Sequence, residues 1–458
     1  MAHQASNIPW NVLASNLHWS EAKHPCHGDL HLRFKPDQAK KLDYFVEGFV
    51  RNIREHSSTT RKKYPEHYDP PRPEEIILDD ATIRKITPTV RRWRAHMAQM
   101  CLRDLGSEDI LPSEEKEYKG QCPIPIPHEE RKAAAFYRKY QRNHCYRFFP
   151  VNGKAFLNLE LVKTLLLYGE MDIIFRVCAY PGVDLGTWWE MSRCYCEKPD
   201  AGWDTLCRIA LLPYIGLNVI YCIPETWDLA SGKTREKDYR QMRIYQYMLK
   251  HCTLSGTTSE VAMYPHRQFF GIADGQFRWV GNEFRLPRQS LVYPYGLVSF
   301  EEFLNCDGVT ENKPAPSDVP QVRQILHSKG LPMELVLNIM ALAEYAPRGR
   351  LQVPHDPFHL DNRDELAKYL KFCWEVLVRC DMMAGALGMV IPWRELVSHT
   401  LFQLFSCGPR HRLRCITTLK NAIVILNSQR GFGSIVRTRT GILRLSLNRS
   451  DKGTWYQR

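Results

Sequence analysis

Apolar residues recur at helical spacing in several segments, and these segments predict much of the secondary structure. In residues 36–57 the repeat places six apolar side chains on one face, which predicts a helix buried along that face (Leu42, Phe45, Val46, Phe49, Val50 and Ile53). Residues 81–104 predict a basic helix, and residues 158–178 predict further helices. Two proline-rich, charged stretches interrupt the early helices. Residues 1–130 are therefore predicted to form a helical N-terminal region with linkers.

Continuous apolar runs favour strands in the middle of the chain. Residues 215–223, IGLNVIYCI, are predicted to form a buried strand. Residues 269–280 predict a hairpin, because Asp274 and Gly275 suit a tight two-residue turn. Helices mixed with strands predict an α+β body over residues 131–305.

The remainder of the chain is predicted to contain a linker and two smaller units. Residues 306–321 predict the linker, and residues 322–384 predict a helical connector with two amphipathic helices. In residues 385–458 the pattern predicts a strand at 387–391, a helix at 393–405 and later strands that form a small, partial β-sheet. The predicted fold class is a multi-domain α+β protein.

Positive charge is concentrated at the C-terminal end. Residues 408–458 contain 11 Lys and Arg against one Asp, a balance of +10, whereas the whole chain has 62 basic and 50 acidic residues, a balance of +12. This asymmetry indicates an anionic partner, and nucleic acid fits better than a lipid surface because no amphipathic anchor helix accompanies the charge.

Other classes of protein are disfavoured by composition and motifs. The N-terminus lacks the layout of a secretory signal, and no apolar run is long enough to span a membrane. The 15 cysteines are expected to be reduced thiols. No hydrolase, kinase, dinucleotide-binding or zinc-protease signature occurs, so we expect no enzyme, cofactor or metal. An enzyme with a scattered active site in residues 131–305 remains an alternative.

The segment around Gly431 resembles an RNA-recognition motif. The residues Arg430, Gly431, Phe432, Gly433 and Ile435 match the sequence pattern of that family's third strand. It departs from the family at Ser434 and Arg437, where aromatic residues belong. The resemblance implies that RNA or single-stranded nucleic acid binds, with Phe432 stacking on a base and arginines holding phosphates (Arg410, Arg412, Arg414, Arg430, Arg437, Arg439 and Arg444). A basic hairpin without a ligand is the structural alternative.

A second resemblance competes for the connector. Leu331, Pro332, Leu335 and Ile339, with Glu334 between them, are similar to the opening of an F-box, the helical adaptor that docks a substrate receptor onto a ubiquitin ligase. The later segment, which includes Phe372, Cys373, Trp374 and Leu377, is loosely similar to the rest of that family. The resemblance implies that Leu331, Pro332, Leu335 and Ile339 bind a protein partner.

Across its length the chain resembles proteins of filamentous fungi that include the hypoxia-responsive morphology factor, a nuclear regulator of colony and biofilm form. The segments LPMELVLNIM and VPHDPFHLDNRDELAKYLKFCWEVLVRCDMM carry this likeness. It implies a nuclear, non-enzymatic regulator of gene expression, with a cytoplasmic location as the alternative. Two basic clusters are candidates for nuclear import (Arg61, Lys62, Lys63; Arg91, Arg92, Arg94).

Overall fold

The protein is mainly α-helical in the computed structural model. The structure describes residues 7–20, 29–32, 36–105, 126–141, 148–191, 201–234, 237–253, 260–272, 292–293, 298–299, 304, 314, 318–343, 345, 351–405, 435–438 and 441–444. In chain order, its α-helices are α1 (Trp10–Ser15), α2 (Pro36–Arg61), α3 (Asp80–Leu105), α4 (Ala133–Phe136), α5 (Phe148–Tyr168), α6 (Met171–Cys178), α7 (Asp204–Tyr221), α8 (Arg243–Thr253), α9 (Glu260–Phe270), α10 (Asp318–Ser328), α11 (Met333–Leu342), α12 (Arg363–Ala386) and α13 (Trp393–Phe405).

The strands are short and pair only two by two in the part of the chain that the structure describes. β1 (Leu17–Ser20) pairs with β2 (Asp29–Leu32), β3 (Val292–Tyr293) with β4 (Val298–Ser299), and β5 (Ile435–Thr438) with β6 (Gly441–Arg444), each antiparallel. The predicted α+β fold class is therefore wrong, because the described core is built from helices.

Helix α7 is the centre of that core. Nearly every one of its residues is buried, and α12, α8 and α13 pack against it. The predicted strand at 215–223 lies within and just after this helix. A helix covered on all sides has a continuous apolar sequence, which periodicity cannot distinguish from a buried strand. That ambiguity explains the wrong prediction.

An aromatic cluster joins α2, α7 and α12. The Trp374 ring centroid lies 5.7 Å from Phe49 and 5.3 Å from Tyr214, and Trp10 lies 5.7 Å from Tyr214. The Trp374 indole N–H donates to His56 Nδ1 at 3.1 Å. These contacts place α12, the second predicted helix of the connector, in the same hydrophobic core as α2.

The predicted strand at 387–391 is also wrong. Leu387 follows the last residue of α12, and Gly388 takes a left-handed conformation with φ +67°. The Met389 N–H then donates to the Ala384 carbonyl at 2.8 Å, which closes the helix end. The first strand required by an RNA-recognition sheet is therefore a helix-terminating turn.

Several helix predictions are confirmed, and other predictions fall outside the structure. The predicted helices at 36–57, 81–104, 158–178 and 393–405 correspond to α2, α3, parts of α5 and α6, and α13. Of the predicted hairpin at 269–280, Phe269 and Phe270 end α9, and residues 273–280 lie outside the described residues. The segment from Arg430 to Gly433 also lies outside them.

Candidate functional site

Helices α10 and α11 form a hairpin whose sharp turn is specified by its sequence. Gly330 has φ +85°, a left-handed conformation that suits glycine, and its N–H donates to the His327 carbonyl at 2.9 Å. Pro332 then occupies the N-cap of α11, and Glu334 lies in its first turn, where a negative charge complements the helix dipole. The Leu331-Pro332 pair thus begins the helix.

The hairpin leaves a large amount of apolar surface in contact with solvent. Leu335 is 49% exposed, Ile339 42% and Leu342 72%, and Met333, Leu337 and Ile325 of α10 are also exposed. Only Val336 and Met340 of α11 are buried. A helix that is apolar over most of its surface, as α11 is apart from Glu334 and Asn338, is normally covered by protein. We call the exposed set Met333, Leu335, Leu337, Ile339 and Leu342 the α11 surface.

The α11 surface includes two of the four residues that the F-box resemblance predicts to bind a partner. Leu335 and Ile339 belong to it, Pro332 is exposed beside it, and Leu331 is half-buried. The α10–α11 hairpin has no net charge, because the positive charges of Arg323 and Lys329 offset the negative charges of Asp318 and Glu334.

The later part of the F-box resemblance has a different environment. Cys373, Trp374 and Leu377 are buried in the core on α12. They are not accessible to a partner in this structure. The F-box-like residues that are exposed to solvent therefore lie in α11 and at its start.

Some of the residues predicted to serve nuclear import are exposed, whereas others are half-buried or hydrogen-bonded within the protein. Lys62 and Lys63 are exposed just after α2. The Arg61 guanidinium donates to the carbonyls of Tyr64, Pro65 and Glu66. Arg91 and Arg92 are half-buried.

Arg94 is buried and hydrogen-bonded to the carboxylate of Glu130. This contact ties α3 to the segment before α4, so Arg94 has a structural role here. It is not accessible to an import receptor.

The predicted nucleic-acid-binding residues are described only in part. Arg437 lies on β5 opposite Ile442, and Arg444 lies on β6 opposite Ile435. The other predicted residues lie outside the described part of the chain (Arg410, Arg412, Arg414, Arg430, Phe432 and Arg439). The binding role of all eight stays a prediction.

A cleft of about 440 Å³ lies between α1, the β1–β2 hairpin and the C-terminal end of α7. This volume is within the range of small-molecule sites. Its lining combines apolar walls with polar and charged groups (Asn11, Ala14, Ser15, Leu17, His18, Leu30, Cys222, Ile223, Glu225, Thr226 and Lys237). The cleft was not predictable from the sequence, because its two halves are about 200 residues apart and carry no local motif.

The thiol in this cleft is not activated for nucleophilic chemistry. Cys222 is the C-cap residue of α7, and burial raises its pKa above the usual value. The negative end of the helix dipole also disfavours a thiolate at this position. The cleft is therefore better suited to binding than to covalent catalysis through Cys222.

A buried charged cluster lies apart from the cleft. Asp204 begins α7, and its Oδ2 lies 2.9 Å from Arg208 Nε, whereas Oδ1 has no hydrogen-bond partner among the described residues. Burial raises the pKa of Asp204 to about 6, although Arg208 acts to lower it. Lys163 and Glu160 form a buried ion pair of 2.6 Å on α5.

None of the described helices is both long enough and apolar enough to cross a membrane. Within the same described ranges, no group of three or more His, Cys, Asp or Glu side chains is arranged to hold a metal ion.

Comparison with known proteins gives one match. The family model described as "Gramillins biosynthetic cluster protein GRA5" matches residues 11–414, which is most of the chain. No curated protein and no solved structure matches. The matched region includes the cleft and the α11 surface, whereas residues 415–458 lie beyond it.

Proposed function

We propose that this chain, which belongs to the family of the gramillins biosynthetic cluster protein GRA5, is a docking protein that uses its α11 surface to bind a partner protein. The observation that carries the proposal is the exposure of five of the seven large apolar residues of α11. Exposed apolar surface of this extent is characteristic of protein interaction sites. The family name relates the proposed role to a biosynthetic cluster.

The expected mode of binding is a helix held in an apolar groove. In such complexes a short helix supplies apolar anchors one or two turns apart, and Leu335 and Ile339 have the required four-residue spacing. The equal numbers of acidic and basic residues on the hairpin favour a groove without strong net charge. Val336 and Met340, which are buried, keep α11 in place while its other residues bind.

The first partner to test is the scaffold subunit of ubiquitin ligases that binds F-boxes. The reason is the likeness of Leu331, Pro332, Glu334, Leu335 and Ile339 to the opening of an F-box. Because α12 is held in the core, this partner would contact α11 with little help from the later segment. We therefore expect moderate affinity.

The test is isothermal titration of the purified scaffold subunit into the full-length chain. Wild type is expected to bind with a micromolar dissociation constant, and the double change Leu335→Glu with Ile339→Glu is expected to weaken binding at least thirtyfold. The matched control is Leu229→Glu with Leu360→Glu, since both residues are 80% exposed and neither lies on α11.

Three results would count against the proposal. The scaffold subunit fails to bind, the control weakens binding as much as the α11 change, or the α11 change has no effect. Circular dichroism of each variant verifies that the fold is retained.

A second candidate function is binding of RNA or single-stranded nucleic acid in the nucleus. The observation that favours it is the +10 balance of residues 408–458, nearly all of the chain's excess charge. Most of this basic segment lies beyond the family match. The two functions are compatible, because a regulator can bind a protein through α11 and nucleic acid through its basic end.

A further inference from the structure

Two residues of opposite charge line the cleft between α1 and the end of α7. Glu225 and Lys237 are exposed lining residues, and neither forms an ion pair within the described part of the chain. We propose that the cleft binds a small zwitterion, an amino acid or short peptide with a free amino and a free carboxylate group.

The side of the cleft near Glu225 is suited to the ammonium group. Glu225 lies in the short 3₁₀ helix that follows α7, and Cys222 caps α7 at the same wall. The C-terminal end of an α-helix carries partial negative charge from its carbonyl groups. The carboxylate and the helix end together attract a cation, and the neutral Cys222 thiol does not compete for it.

The side near Lys237 is suited to the carboxylate. The Lys237 backbone N–H donates to the Thr234 carbonyl at 3.1 Å, which fixes the main chain while leaving the ammonium group available. A Lys ammonium and a ligand carboxylate form a charge-assisted hydrogen bond, stronger than a neutral one.

A hydroxyl group provides a further acceptor in the lining of the cleft. Ser15 Oγ donates to the Val12 carbonyl at 3.0 Å. Because its proton is already committed, the oxygen offers lone pairs to a ligand N–H. A peptide amide and an ammonium group both supply such protons.

The remaining walls of the cleft are suited to the apolar part of a ligand. Ala14, Leu17, Leu30 and Ile223 line the cleft and come from three separate elements. Apolar walls with a few convergent polar groups are typical of small-ligand sites. A peptide with aliphatic side chains matches this lining.

The inference is tested by calorimetric titration of the full-length chain with four forms of the dipeptide Leu-Leu. One form has both ends free, one is acetylated at the amino end, one is amidated at the carboxyl end, and one is capped at both ends. We expect the free form to bind, each single cap to weaken binding about tenfold, and the double cap to abolish detectable binding.

Variants assign each end of the ligand to a residue. Glu225→Gln is expected to remove the preference for a free amino end while keeping the preference for a free carboxylate, and Lys237→Gln is expected to do the reverse. Ala14→Phe fills the cleft and should abolish binding, whereas Ala81→Phe on the exposed side of α3 should not. Lys63→Gln, an exposed lysine away from the cleft, is the charge control.

The inference is overturned if the free dipeptide does not bind, if capping leaves the affinity unchanged, or if Ala14→Phe binds as wild type does. None of these results bears on the docking role of α11, because none of the substituted residues lies on the α10–α11 hairpin.

Discussion

Leu335 and Val336 are neighbours in α11, yet Leu335 is 49% exposed while Val336 is completely buried. Adjacent residues of a helix point about 100° apart, so one faces the inside of the hairpin and the other faces solvent. In an ordinary amphipathic helix the outward residue is polar. Here it is leucine, and this departure is the basis of the docking proposal.

The first prediction compares the effects on stability of changing a buried and an exposed residue of α11. Val336→Ala is expected to lower the free energy of unfolding of the hairpin by about 1–3 kcal/mol, because it leaves a cavity. Leu335→Ala is expected to change it by no more than about 0.5 kcal/mol. Amide hydrogen exchange of α11 measures both values. Equal effects of the two changes would contradict the assigned environments.

The second prediction concerns α12 as a core helix. Trp374→Ala is expected to destabilise the whole chain by about 3–5 kcal/mol, since the indole is buried among Phe49 and Tyr214. Lys371→Ala on the exposed face of the same helix is the control and should stay within about 0.5 kcal/mol. Urea unfolding followed by circular dichroism gives both free energies. A small effect of Trp374→Ala would show that α12 is not a core element.

The sequence predicted some of these features for identifiable physical reasons. Helix α2 was predictable because it is buried on one side and polar on the other, which gives a clear period. Helix α7 was predicted as a strand because burial on all sides removes that period. Leu335 and Ile339 were found through the Leu331-Pro332 helix start. Their exposure was not predictable, because an apolar sequence by itself indicates burial.

The cleft and the turn at Gly388 could not be predicted from local sequence patterns. Ser15 and Thr226 meet in the cleft only because α1 packs near the end of α7. Leu387–Ile391 is apolar enough for a strand, and its role as the end of α12 depends on a left-handed glycine. Both features are set by tertiary contacts.

The third prediction is a pH dependence that arises from Asp204. Burial raises the pKa of this carboxyl group to about 6, above its value in the unfolded chain. The folded protein therefore binds the proton more tightly, and stability falls as pH rises from about 4 to 6. Above pH 6 the ionised, buried carboxylate lowers stability by about 1–3 kcal/mol.

Asp204→Asn removes this ionisation. We expect the variant to exceed wild type in unfolding free energy at pH 7.5 by about 1–3 kcal/mol, with the difference disappearing near pH 4. Asp69→Asn, an exposed residue, is the matched control. Urea unfolding at a series of pH values measures the effect. A variant less stable than wild type at pH 7.5 would mean that the ion pair with Arg208 outweighs desolvation.

The fourth prediction tests the basic C-terminal end. We expect the full-length chain to bind a fluorescent single-stranded RNA with an affinity that falls steeply as salt rises. Phe432→Ala should weaken binding by about 1–3 kcal/mol, as loss of base stacking does. Changing Arg437 and Arg439 together to Ala should reduce the salt dependence.

Fluorescence anisotropy over a salt series measures these effects, with Lys62 and Lys63 both changed to Ala as a control outside the C-terminal segment. If the full-length chain does not bind RNA at low salt, or if all variants bind alike, the RNA-recognition resemblance carries no function here.

The most direct test of the docking role is site-specific photo-crosslinking at Leu335. A benzophenone amino acid is incorporated at this position in one preparation and at Leu229, another exposed leucine, in a second. Each preparation is irradiated with the purified F-box-binding scaffold subunit. We predict a crosslink to the scaffold from position 335 and none from position 229. Equal crosslinking from both positions, or none from 335, would contradict the proposal that α11 is the docking surface.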